Sequence, residues 1–91
     1  MSSRTIKLDG VLNIARVEAL HAEFEVLEKK PEPLIINASN VSRVDTAVLQ
    51  LLVSLFRSLF SLNINVEWAG VSEEFKAAAK LLGLESELKL V

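Results

Sequence analysis

Few side chains in this 91-residue sequence have the type and the neighbours to do chemistry. His21 is the only histidine and there is no cysteine. A two-histidine zinc site, a thiolate metal site, a disulfide framework and a cysteine nucleophile are therefore excluded. Serines and aspartates are present, but no Gly-x-Ser-x-Gly turn presents a serine as a nucleophile. Gly10, Gly70 and Gly83 are isolated, so neither a phosphate-cradling loop nor a dinucleotide fingerprint is available. These residues point to a non-catalytic protein with no cofactor. One pair remains: Asp45 followed by Thr46, just ahead of a long apolar stretch. Asp45 can cap the helix that follows, because its side-chain oxygen can accept from the unpaired N–H groups of the first turn. Thr46 then takes the first helical position, about 20° from Arg57 on a helical wheel, with its hydroxyl exposed. On residue types alone this is either a good helix start or a hydroxyl placed for modification at a helix N-terminus.

The elements that position the pair can be read from periodicity. Ile6 and Leu8 alternate with Thr5 and Lys7, and Asp9-Gly10 before Val11-Leu12 predicts an opening β-hairpin. Asn13 can cap a first helix in which Ile14, Val17, Leu20, Phe24 and Leu27 recur at helical spacing until Pro31 and Pro33. His21 falls on the margin of that apolar arc, as a packing or boundary residue. Leu34-Ile35-Ile36 reads as a short strand near the middle of a sheet, followed by a polar loop. The Asp45 helix covers 46–62, with Asn63 as its stop. Ile64, Val66 and Trp68 alternate with Asn65 and Glu67 in a strand with one buried face. Ser72 starts a third helix that turns Phe75, Ala78, Ala79 and Leu82 inward and ends at Gly83. Residues 88–90 suggest a last short strand. The expected fold is α/β in one domain over 1–91: a single mixed, mainly parallel sheet of four to five strands, with three helices mostly on one face.

Composition narrows the partners. The chain is 51% hydrophobic and 24% charged, which is globular. Ten basic and twelve acidic residues leave a formal charge of −2, with no electrostatic footprint for nucleic acid or an anionic membrane. The residues after Met1 show no apolar signal core, so a cytoplasmic location is expected. The second helix is apolar over an arc of about 200°, where a helix lying on a sheet needs little more than 100°. Either neighbouring helices bury the excess or a partner protein does. Membrane insertion is not expected, because the stretch is short of about 20 residues and holds Arg57 at its centre.

The strand 34–38, the run Ser39-Asn40-Val41-Ser42-Arg43-Val44-Asp45-Thr46-Ala47, the long apolar helix and the ending Leu81-Leu82-Gly83-Leu84 together resemble STAS domains. These include anti-sigma-factor antagonists and the STAS subunits of some bacterial ABC transporters. The resemblance runs from Ile6 to Leu90 and is most specific at Val44-Asp45-Thr46. It implies an anti-sigma-factor antagonist-like fold that docks a partner protein through Ser42, Arg43, Val44, Asp45, Thr46, Gln50 and Arg57. It also implies that Thr46 is the phosphorylated position in an anti-sigma-factor antagonist-like or chemotaxis-associated signalling role. The implied partner is an anti-sigma or sensory kinase-like protein; the alternative is the ATPase of a phospholipid-transport ABC system. Two positions depart from the family pattern. Asn37 stands where many members carry aspartate, and Val48 where glycine commonly follows the phosphorylatable residue by two.

Overall fold

The computed structural model describes residues 4–90. Three strands, β1 (Arg4–Leu12), β2 (Leu34–Val44) and β3 (Val66–Val71), form one parallel sheet in the order β1-β2-β3. A 3-10 turn (Ile14–Arg16) and helix α1 (Val17–Glu28) connect β1 to β2. Helix α2 (Thr46–Ser61) connects β2 to β3, and α3 (Glu73–Leu81) follows β3. Because the strands are parallel and each helix returns against them, all three helical segments start at the C-terminal edge of the sheet.

Burial alternates along each strand. Ile6 and Leu8, Leu34, Ile36 and Ala38, and Val66 are buried, whereas Thr5, Lys7, Glu67 and Ala69 are exposed. The register places Ile6 beside Ile36 and Ile36 beside Trp68, so the inward side chains form one continuous apolar face. The helices cover that face, as expected, and the opposite face is open. Leu20 and Phe24 of α1, seven residues of α2, and Phe75 and Ala79 of α3 complete the core. At about 25 cal/mol per Å² of apolar surface removed from water, this burial is the main force holding the layers together.

The sheet has three strands among the described residues, not four to five. The expected hairpin does not form: Asp9-Gly10 lies inside one continuous strand. Gly10 has φ +68°, a conformation glycine adopts without steric cost, and here it serves an irregular stretch of sheet. Over this stretch β1 advances four residues, from Lys7 to Val11, while β2 advances six, from Asn37 to Arg43. Two bulges in β2 take up the difference. The predicted polar loop after Ile36 is therefore strand, because its backbone pairs with the second half of β1.

Residues 88–90 are also not a strand. They form a turn in which Leu88 is fully buried and its carbonyl accepts from Trp68 Nε1 at 2.7 Å, while Lys89 has φ +56°. Trp68 stands between Phe56 and Phe75, with ring centroids 5.6 and 5.4 Å away, in the tilted geometry favoured by aromatic quadrupoles. His21 lies outside the core: its imidazole is exposed and 3.9 Å from Glu25.

The entry and exit of α3 follow the expected capping. Ser72 Oγ accepts from the Phe75 N–H at 3.1 Å, and Gly83 takes φ +69° just beyond the helix. Asn63, with φ +59°, ends α2 in the same way. Arg4 ties the N-terminal edge together. Its guanidinium donates to the carbonyls of Leu27, Lys30 and Glu32 at 2.8, 3.0 and 2.7 Å. It thereby satisfies acceptors left open where α1 ends.

Candidate functional site

The junction between β2 and α2 is set by backbone pairing. Asp45 is extended (φ −83°, ψ 155°), and its N–H donates to Leu12 O at 2.9 Å, the last link to β1. Its carbonyl accepts from the N–H groups of Val48 at 3.0 Å and Leu49 at 3.2 Å, which opens the helix. No side chain caps α2. The Asp45 carboxylate turns away and accepts from the Ile14 N–H at 3.3 Å. The expected side-chain cap is therefore a bridge to the preceding element. Ile14 follows directly on the β1–β2 pairing, so its N–H is within reach when the first turn of α2 forms.

Around this bridge, Ser42, Arg43 and Thr46 are exposed, and Val44 and Asp45 are half-buried. Gln50 is exposed one turn further along. All six lie at the end of β2, at its junction with α2 or in the first turns of α2, at the C-terminal edge of the sheet. Strand-to-helix turns at this edge are where parallel α/β folds place their binding groups. Arg57 lies on the same helical stripe but about 16 Å along the axis from Thr46, so it belongs to the far part of the surface. A groove of about 320 Å³, lined by Gln50, Val53, Ser54, Arg57, Leu84 and Glu87, spans that interval. Arg57 Nη2 approaches Glu87 Oε2 at 3.5 Å across it, with both side chains exposed.

Most of the apolar excess of α2 is covered within the chain. Val48, Leu49, Leu52, Val53, Leu55, Phe56 and Leu59 are buried. Phe60 and Leu62, 77% and 51% exposed, are what remains, and they stand at the end of the helix away from Thr46.

Sequence reasoning missed two apolar residues at the site. Val11 is exposed and pairs with Arg43, and Ile14, 71% exposed, adjoins Asp45. Ile14 fitted the core spacing of α1, but the 3-10 turn has three residues per turn and swings it off the helical stripe. The signal was its position immediately after the capping residue Asn13, whose Oδ1 accepts from Ala15 N at 3.1 Å.

Asn37, the departure on β2, is occupied within its own strand. Its Oδ1 accepts from the N–H and the Oγ of Ser39, at 3.0 and 2.6 Å. Among the described residues no group of three or more His, Asp or Glu side chains is placed to hold a metal ion. No helix among them is long and apolar enough to cross a membrane.

A parallel three-stranded sheet with helices on one face and an exposed helix start at its C-terminal edge defines a small α/β module with a surface open to a partner. A family model described as Mlab, STAS domain, matches residues 2–91. The chain belongs to the STAS domain family, whose members are generally non-catalytic regulatory or partner-binding modules. A search of curated proteins returned no significant match.

Proposed function

We propose that this STAS domain docks a partner protein through the start of α2, using Ser42, Arg43, Val44, Asp45, Thr46 and Gln50, with Arg57 at the far rim. The observation that carries this reading is the exposed Thr46, first residue of α2, with exposed polar residues near it in sequence and the exposed apolar Val11 and Ile14 beside Arg43 and Asp45. A mixed surface of this kind suits a regulated contact: apolar residues supply area and polar residues supply selectivity.

Phosphorylation of Thr46 is the switch. It would add nearly two negative charges at a helix N-terminus, where the helix dipole tolerates them. The first turn of α2 has no side-chain cap, so its N–H groups can receive the phosphate and the fold is not strained by it. A partner seated on the same surface would meet that charge directly and be released. The partner of this reading is an anti-sigma or sensory kinase-like protein.

A second reading, constitutive docking onto the ATPase of a phospholipid-transport ABC system, is favoured by the two departures. Asn37 brings no carboxylate to the site and its side chain is engaged by Ser39, and Val48 is fully buried beneath the helix start. Both readings use the same surface and differ in whether Thr46 is modified.

The test is affinity capture from the native cytosol with the wild-type chain and with Thr46→Asp, identifying what is retained. A kinase-like protein lost from the Thr46→Asp bait supports the signalling reading. A transporter ATPase retained without dependence on any kinase supports the second.

A further inference from the structure

Two cations at the C-terminal edge of the sheet lack a counter-charge. Of the four arginines in the chain, Arg4 pairs with Glu32 at 3.4 Å and Arg57 with Glu87 at 3.5 Å. Among the described residues no carboxylate pairs with Arg16 or Arg43. These two meet at one place. Val11 and Arg43 are register partners on adjacent strands, both exposed, so their side chains leave the same face of the sheet. Arg16 Nη1 donates to the Val11 carbonyl at 3.5 Å. Ile14, 71% exposed, precedes Arg16 by two residues in the same 3-10 turn.

The backbone that carries these side chains is fixed. Asn13 Oδ1 accepts from the Ala15 N–H at 3.1 Å, Asn13 O from the Arg16 N–H at 2.9 Å, and Asp45 Oδ2 from the Ile14 N–H at 3.3 Å. A surface held in place before binding loses less conformational freedom when it is covered.

Charge and apolar area together select the occupant. A basic segment would meet two guanidinium groups directly, and a purely apolar one would strip their water and offer nothing in return. A nucleic acid or an anionic membrane presents a long array of charge, whereas this place has two cations on a chain of formal charge −2. The nearby Asp45 carboxylate is half-buried and turned to the Ile14 N–H. What fits is a short protein segment in which carboxylates flank an apolar side chain, because guanidinium groups match carboxylates in charge and in planar geometry.

We infer that the partner docked at the start of α2 presents such an acidic-apolar segment. Its carboxylates pair with Arg16 and Arg43, and its apolar side chain packs on Val11 and Ile14. This rests on the docking reading and names the chemistry of its partner. A phosphate on Thr46, three residues on from Arg43, would carry the same sign of charge as that segment and so oppose it.

The experiment pans a phage-displayed library of random peptides on the immobilised wild-type chain, then measures the enriched peptides by fluorescence anisotropy. The expected peptides carry two or more acidic residues beside an aliphatic or aromatic one. Their binding should fall by about tenfold or more in Arg43→Glu, with the melting temperature unchanged because Arg43 is exposed and unpaired. Arg16→Gln and Ile14→Ser should each weaken it as well. Lys30→Glu, the same charge reversal at the opposite edge of the sheet, should bind as wild type does. Enriched peptides without acidic residues, or full binding to Arg43→Glu, overturn the inference. So does a library that yields no binder, or Arg43-dependent sedimentation with phosphatidylglycerol vesicles in place of peptide binding. A peptide lost from Thr46→Asp but held by Arg43→Glu overturns this inference and leaves the docking reading standing. One lost from Arg43→Glu but held by Thr46→Asp supports the contact and counts against the docking reading.

Discussion

The Asp45 carboxylate accepts from the Ile14 N–H at 3.3 Å, so the residue that opens α2 anchors the element ahead of α1 rather than its own helix. The start of α2 and the β1–α1 junction are thereby held together. Asp45→Ala should cost about 1 kcal/mol of stability, whereas Asp45→Asn, which keeps an acceptor oxygen, should recover most of it. Urea denaturation of the three proteins at one pH decides this. Equal losses for Asn and Ala would mean that the carboxylate charge, not the bond to Ile14, is what matters.

Arg4 should be among the most costly single residues to remove outside the core. Its three hydrogen bonds to the carbonyls of Leu27, Lys30 and Glu32 join the edge strand to the end of α1. Arg4→Met is expected to lower stability by roughly 2–3 kcal/mol. Arg4→Lys should rescue little of it, because an ammonium cannot span acceptors arranged around a planar fork. Thermal denaturation of both variants measures the difference.

The turn at 88–90 is expected to behave as core. Leu88→Ala should destabilise the protein by about 2–4 kcal/mol, the range for truncating a buried leucine. It should also red-shift Trp68 emission as the indole loses its cover. An exposed strand at this position would have shown neither effect, so fluorescence and denaturation together separate the two structures.

Gly70 faces Ser39 across the β2–β3 pairing, and a Cβ at Gly70 would come within 3.1 Å of Ser39 Cβ. Gly70→Ala sets that crowding against the entropy that alanine removes from the unfolded chain. The two substitutions should therefore couple: Gly70→Ala is expected to be more favourable in a Ser39→Gly background than in the wild type, by about 0.5 kcal/mol or more. A double-mutant cycle in urea measures this directly.

Much of this architecture is legible in the sequence. The three helices, the cap at Ser72, the stops at Asn63 and Gly83, and the inward stripe of α2 all follow from spacing and local hydrogen-bonding chemistry, whereas Asn13 caps the 3-10 turn and not α1, which begins at Val17 with no side-chain cap. The errors fall where a local signal has more than one use. Asp9-Gly10 has the composition of a hairpin turn, but the same left-handed glycine also serves a bulged strand, and only the pairing with β2 shows which is formed. Ser39 to Val44 is too polar to read as strand, because its register comes from β1 and not from an apolar pattern of its own. Alternation over residues 88–90 is too short to separate a strand from a turn with one buried side chain. At the candidate site, Thr46 and its neighbours were visible as a motif. The turned Asp45 carboxylate was not, because it depends on a contact between residues 31 positions apart, and the exposure of Ile14 was missed because the 3-10 turn after Asn13 was read as the start of α1.

The central claim is that the Thr46 end of α2 is the docking surface, and quantitative affinity capture tests it most directly. The captured partner is identified by mass spectrometry, and its binding to wild type, Thr46→Asp and Lys7→Glu is then measured with purified proteins. Lys7 lies on the open face of the sheet and serves as the control. Binding to Thr46→Asp should fall by roughly 100-fold with the melting temperature unchanged, and binding to Lys7→Glu should match wild type. Wild-type affinity in Thr46→Asp together with loss in Lys7→Glu would contradict the claim and move the docking surface to the open face of the sheet.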